Sequence, residues 1–300
     1  MKQALSGYLK IYKEYGIKNA IWSFYRFYYR KYKLNKAIKK GNYVVNTHGS
    51  KLMVIPGDEG LSAELLVFGY HERDTTEFIS KYLRKNMVCL DIGANIGYYS
   101  TLYSKIIGKG GLVLAIEPSP LNFRYLKKNL EFQKFSNSKL YNCACGDKNG
   151  TVNFQVDTRT NKCKVVSKNI KPDSNTEIIA VPLRTINDIV EEIKVNRIDF
   201  LKIDVEGYEM KVLEGAWQSI RKFKPTIQIE LHINRLGESV TKEIINRLKK
   251  EGYKIIYNDI GKDETTFIPL KSKYSISEDY LDISKIKKYQ NSFKIILENS

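Results

Sequence analysis

Cysteine, histidine and proline are scarce in this chain: 300 residues carry four, three and seven of them. No two of Cys89, Cys143, Cys145 and Cys163 form a C-x-x-C pair, which argues against zinc or a redox dithiol and for free thiols in a reducing compartment. No run of about eighteen uncharged apolar residues occurs, so a conventional membrane-spanning helix is excluded. The opening MKQALSGYLKIYKEYG lacks an apolar core followed by a small-residue cleavage site; a secretory leader is not expected and a cytoplasmic location is. Disorder is excluded as well. The chain is 42% hydrophobic, part of it in 21 Tyr and 12 Phe, and its length suffices to bury about three-quarters of the unfolded surface.

Acidic residues are short too, 33 against 50 basic ones, for a net charge of +17. The imbalance is local. Residues 1–40 hold eleven basic side chains and a single acid, Glu14, for +10, leaving +7 for the rest. A charge so concentrated weakens a nucleic-acid reading of the whole protein. Within residues 8–40, Ile21, Phe24, Tyr25, Tyr28 and Tyr32 recur at helical spacing, with Arg26, Arg30, Lys31 and Lys33 mostly elsewhere. Two readings stand: a helix that packs its aromatic stripe on the domain, or one that lies on a membrane surface or partner. The second would attach the protein peripherally at the inner membrane face.

NYVVNTHG, KLMVIP and LSAELLVFGY read as short strands, a β-rich preface over 41–73, followed by a helix from Asp74 to Leu83 capped by Asp74 or Thr75. From Met87 onward strands alternate with helices. MVCLDI, LVLAIEP, KLYNCAC, IDFLKIDV and TIQIELH are the strands; NIGYYSTLYSKII, LNFRYLKKNLEF and VTKEIINRLKKEG are helices. YKIIYND and TTFIPL suggest an antiparallel pair, and TVNFQV with IIAVPL a β-type insertion over 150–185. The expected fold is α/β: a Rossmann-like, doubly wound sheet of seven mostly parallel strands over 74–270, with 271–300 as an extension.

The densest signal is Asp91-Ile-Gly93-Ala94-Asn95-Ile-Gly97, after a strand and opening a helix. Glycines there admit close approach of a ligand. The next strand ends on Glu117, which suits a ribose diol in the same crevice. A pyrophosphate would want G-x-G-x-x-G at a helix N-terminus. The spacing here is Gly93-x-x-x-Gly97, preceded by an acid, which fits a cofactor carrying an ammonium group and no phosphate: S-adenosylmethionine. An NAD-dependent dehydrogenase has the wrong glycine spacing.

DIGANIGYYS, AIEPSP, Ala144-Cys145-Gly146-Asp147, TINDI and FLKIDVEGYEMKVLEGA together resemble the FkbM-type methyltransferases of class I, over roughly Glu77 to His232. The resemblance implies S-adenosylmethionine as cofactor and O-methylation of sugars or natural products. It places Asp91, Gly93, Ala94, Asn95 and Gly97 at the methionine end and Glu117 on the ribose. Pro118 would lie beside the adenine, Asp147 would accept the adenine amino group, and Asp204 would lie nearest the reacting methyl. Thr76-Glu77 is a weaker match to an acidic position ahead of the first strand.

At the crevice, Asp204 and Glu206 share an i, i+2 pattern, as do Glu230 and His232 on the neighbouring strand. His232 titrates near neutrality and is the first choice of general base, with Asp204, Glu206 and Glu230 orienting the acceptor or serving as alternative bases. A bound Mg2+ on these carboxylates is the less favoured alternative. His48 and His71 read as surface residues. The function expected is transfer of a methyl group to a hydroxyl of a sugar, glycan or glycolipid-like acceptor. Its rivals are a non-catalytic cofactor-binding scaffold and a nucleic-acid methyltransferase; against the latter, DVEG stands where amino-directed DNA enzymes carry an N/D-P-P-Y/F motif.

Overall fold

The computed structural model describes residues 17, 21, 25, 28–29, 32–36, 41, 43–167, 172, 176–260, 283 and 291–299. A β-hairpin, β1 (Val44–Thr47) and β2 (Ser50–Met53), precedes two helices, α1 (Leu61–Phe68) and α2 (Arg73–Tyr82). Residues 61–68 run helical rather than extended. No residue of α1 is exposed, so burial on every side erased the periodicity that would have marked a helix. Gly69, left-handed at φ 78°, ends it by donating its N–H to the Leu65 carbonyl.

The main sheet has seven strands in the order β12-β13-β11-β10-β3-β4-β5. β3 (Val88–Ile92), β4 (Leu112–Ile116), β5 (Ser138–Tyr141), β10 (Phe200–Ile203) and β11 (Thr226–Leu231) are parallel. β10 is buried throughout and β3 and β4 nearly so, as strands covered on both faces must be. One face packs on α3 (Tyr98–Ile107), α4 (Pro120–Phe132), α1 and α2, through Leu65, Ile79, Tyr103, Ile107 and Leu126. The other packs on α5 (Ile186–Ile193), α6 (Glu209–Phe223) and α8 (Glu238–Lys250), through Ile189, Val212, Ala216, Ile220, Ile244 and Leu248. Strand order runs outward both ways from the β3–β10 pair, which creates a crevice at their carboxyl ends.

Two strands differ from the sequence expectation. β12 (Tyr253–Asn258) pairs antiparallel with β13 (Phe293–Asn299), and β13 pairs antiparallel with β11. The single antiparallel strand therefore comes from the segment read as an extension, while TTFIPL lies outside the described residues. KLYNCAC divides as well: β5 belongs to the main sheet, but β6 (Ala144–Cys145) joins β7 (Gly150–Asp157), β8 (Lys164–Val165) and β9 (Thr176–Arg184) in a second sheet of order β6-β9-β7-β8. The short helix α7 (Ile233–Leu236) links β11 to α8.

Gly215 sets how closely α6 approaches the second sheet: a Cβ there would lie 1.9 Å from the Gly146 carbonyl oxygen. Alanine would gain about 1 kcal/mol of helix propensity, but overpacking against backbone costs about 1–3 kcal/mol and more when nothing can yield. Gly215→Ala is expected to lower stability, measured as a drop in the urea midpoint; a midpoint at or above that of the parent would show that the contact relaxes freely.

Candidate active site

A cavity of about 430 Å3 opens at the carboxyl ends of β3, β4, β10 and β11. Gly93, Ala94 and Asn95 line it from the β3 loop, and Glu117 with Pro118 from the end of β4. Asp204, Val205 and Glu206 follow β10, and Glu230 ends β11. Cys143, Ala144, Cys145 and Phe154 add a less polar wall, with Ala144, Cys145 and Phe154 from the second sheet. Its size is that of a small-molecule site.

Glu117 is buried, and its two oxygens accept the N–H groups of Asn95 and Ser119, each at 2.9 Å. Burial pushes its carboxyl up to about 7, against the pull of these hydrogen bonds. Each oxygen keeps a lone pair for a hydroxyl, so the group fits the ribose of S-adenosylmethionine, and the Pro118–Phe154 wall fits its base. Gly93 is needed for a different neighbour than expected. At φ 78°, its Cβ would fall 1.9 Å from the Asp204 carbonyl oxygen, so the glycine lets the β3 loop press on the end of β10.

Three residues expected at the cofactor stand behind the wall. Asp91 is fully buried beneath the loop; it accepts the Ser100 hydroxyl at 2.6 Å and lies 3.5 Å from the Lys202 ammonium. Gly97 caps α3 and faces Leu126. Asp147 pairs with Lys211 at 2.9 Å, which holds its carboxyl below the usual range.

The acidic end of the cavity is a row of alternating charge. Glu64 meets His71 Nδ1 at 2.8 Å, His71 Nε2 meets Glu72 at 2.9 Å, and Glu72 meets Lys294 Nζ at 3.1 Å. Lys294 continues to Glu230 at 3.2 Å and to Asp259 at 3.5 Å. His232 Nε2 lies 3.6 Å from Glu230 and 3.5 Å from Glu206, and its Nδ1 is 2.6 Å from Glu209. Arg235 pairs with the Glu206 carboxylate and donates to its carbonyl at 2.7 Å, bracing a non-glycine residue held at φ 57°.

This geometry bears on the role expected of His232. Burial alone would favour the neutral ring, but Glu230, Glu206 and Glu209 outweigh it and hold the pKa well above 6.5. An imidazolium has no lone pair to take a proton, and His232 stands behind the cavity wall. Glu230 stays ionised: burial raises its pKa, yet Lys294 and His232 overcome this and bring it to about 2. Asp204, Glu230 and His232 do offer ligand atoms within 4.8 Å of one another. The Lys294 ammonium, 3.2 Å from Glu230, already brings a positive charge to that carboxylate.

Residues 91–255, more than half of the chain, match the family model described as "Methyltransferase FkbM domain". The chain belongs to the FkbM methyltransferase family. Methyltransferase 1 of Beauveria bassiana is 30% identical over 142 residues, covering 42% of this chain and 57% of that one. 31-O-demethyl-FK506 methyltransferase FkbM of Streptomyces tacrolimicus is 25% identical over 205 residues, 58% of this chain and 75% of that one. Hexuronic acid methyltransferase AglP of Haloferax volcanii is 25% identical over 173 residues, 57% and 66% of the two. The chain thus spans little more than half the length of the first of these relatives.

In this FkbM domain the residues missed at the sequence level are His71, Glu72, Glu209, Arg235 and Lys294. Glu209 opens α6 three residues after Glu206 and shares His232 with it. His71 is not a surface residue: Glu72 and Glu64 overcome its burial and hold it protonated. The acids ahead of β3 that line the cavity are Glu64 and Glu72. Glu77 is exposed and pairs with Lys81 at 2.8 Å, while Thr76 is buried and donates to the His71 carbonyl at 2.9 Å.

The charge row fixes the response to pH. Because the Glu230 pKa falls on folding, its contribution is full above about 4.5 and is lost as pH drops towards about 2. The histidine pKa values rise on folding, so their contribution is full below about 6.5 and is lost as pH climbs through the raised values. Lys294→Met leaves buried carboxylates unpaired and is expected to cost about 3–5 kcal/mol at neutral pH. Thermal unfolding across pH should show the variant losing less stability than the parent between about pH 4.5 and about pH 2, because its folded Glu230 pKa is less depressed; equal acid losses would show that Lys294 does not hold Glu230 ionised.

Proposed function

We propose that this chain is an S-adenosylmethionine-dependent O-methyltransferase acting on a hydroxyl of a sugar, glycan or glycolipid-like acceptor. The observation that carries the reading is one cavity with two unlike ends: Glu117 beside an apolar wall, and Asp204, Glu206 and Glu230 opposite. Family membership supports methyl transfer, and the relative named for a hexuronic acid supports a carbohydrate acceptor.

S-adenosylmethionine, when bound, supplies a methyl group activated by the sulfonium. Glu117 and the Asn95 loop would hold its ribose, with Pro118 beside the base. Attack on a sulfonium methyl is in line, so positioning does much of the work. Glu230 would accept the hydrogen bond of the acceptor hydroxyl and aim its oxygen, and Asp204 would take the proton as that oxygen forms its new bond to carbon. His232, Lys294 and Arg235 keep those carboxylates ionised and in place. They act as positioning residues.

Calorimetry is expected to show micromolar binding of S-adenosylmethionine, on the order of 8 kcal/mol. Glu117→Ala should weaken it by about 1–3 kcal/mol, the worth of charge-assisted hydrogen bonds. Glu230→Gln should leave this affinity nearly intact and slow turnover by ~10²–10⁴. The acceptor is found by mass spectrometry of glycans and glycolipids from cells with and without the gene, as a gain of one methylene unit. Binding of NAD in preference to S-adenosylmethionine would overturn the reading.

A further inference from the structure

The N-terminal aromatic stripe faces outward. Backbone is helical at Ile17, Ile21, Tyr25, Tyr28, Tyr29 and Tyr32. At 3.6 residues per turn these six side chains fall within about 120° of arc. An amphipathic helix packed on its domain turns this face inward. Here the residues are 60%, 62%, 60%, 53%, 38% and 61% exposed in chain order. Among the described residues the stripe is turned outward, which favours the second of the two readings. Lys33 and Leu34 are half-buried, and Lys33 and Lys36 line a cleft with Val44–Asn46 and Leu65–Gly69, so contact with the body is made at the end of the segment.

Charge decides what the face meets. The segment to residue 40 is +10, and the ammonium groups of Lys33 and Lys36 lie 5.3 and 5.9 Å from the ring centres of Tyr29 and Tyr32. A second copy would bring two such segments together against their own repulsion. A polyanionic nucleic acid would satisfy the cations but give Ile17 and Ile21 no apolar contact, since only aromatic rings stack on bases. The interface of an anionic bilayer satisfies all three components. It takes tyrosine rings at headgroup depth, isoleucines just below, and lysines and arginines against lipid phosphates.

We propose that residues 17–36 form an interfacial anchor that lays the protein on an anionic lipid surface without crossing it. Among the described residues no helix is long and apolar enough to span a membrane. The anchor stands independently of the methyl-transfer reading.

The test is cosedimentation of the full chain with vesicles of phosphatidylcholine alone or with about 30 mol % phosphatidylglycerol, where each cation near the surface adds ~1 kcal/mol. Binding to the anionic vesicles should exceed that to neutral ones at least tenfold and weaken above about 0.5 M salt. The variant Ile17→Ser, Ile21→Ser, Tyr25→Ser, Tyr28→Ser keeps every charge, so it separates face from charge. It should lose at least tenfold in vesicle affinity while circular dichroism and S-adenosylmethionine binding stay unchanged. Failure of the parent to bind anionic vesicles at low salt would overturn the proposal, and so would unchanged binding by the variant. A parent dimer in gel filtration that the variant abolishes would assign the face to a second copy and overturn it as well.

Discussion

One buried ammonium ties the catalytic end of this molecule together. Lys294 sits within 3.5 Å of carboxylates from three places: Glu72 ahead of α2, Glu230 at the end of β11, and Asp259 after β12. None of these acids could remain charged in that position alone, since isolated buried carboxylates neutralise rather than stay ionised. With Lys294 between them, Glu72 and Glu230 are held well below their ordinary pKa by cations that overcome burial, whereas Asp259 is driven up to about 6 by burial despite Lys294. The row of charges from Glu64 to Glu209 depends on this junction, because each histidine in it is protonated only while its glutamates are ionised.

The two ends of the cavity use burial in opposite ways. At Glu117 desolvation dominates, and a carboxyl near neutrality can adjust its proton to a bound diol. At Glu230 the surrounding cations dominate, and the carboxylate is fixed in one state. Two opposite balances thus stand at the ends of parallel strands of one sheet.

Much of this was legible in the chain. Strand ends could be located because β3, β4, β10 and β11 are short apolar runs that finish on polar residues, so Asn95, Glu117, Asp204, Glu206 and Glu230 could be placed at one crevice. The raised pKa of His232 could not be read, because it takes Glu230, Glu206 and Glu209 converging on one ring, the last reaching back from the first residue of α6. Lys294 escaped because it joins the site only through non-local contacts. α1 was mistaken for a strand because an eight-residue helix without an exposed face has no period to detect. Glycine spacing suggested contact with a ligand at Gly93, whereas the neighbour that demands glycine there is the Asp204 carbonyl.

The second sheet has its own small apolar cluster, Ala144, Phe154, Val181 and Leu183, separate from the two clusters that sandwich the main sheet. It nevertheless supplies Cys145, Phe154 and Val165 to the cavity, and the turn beside it adds Thr160 and Asn161. Substitutions in that panel can reshape the enclosure while leaving the charge row and the central strands as they are. The lining of the cavity and the charge row at its end thus sit on separately mutable parts, so the shape of the enclosure can change while those charges are kept.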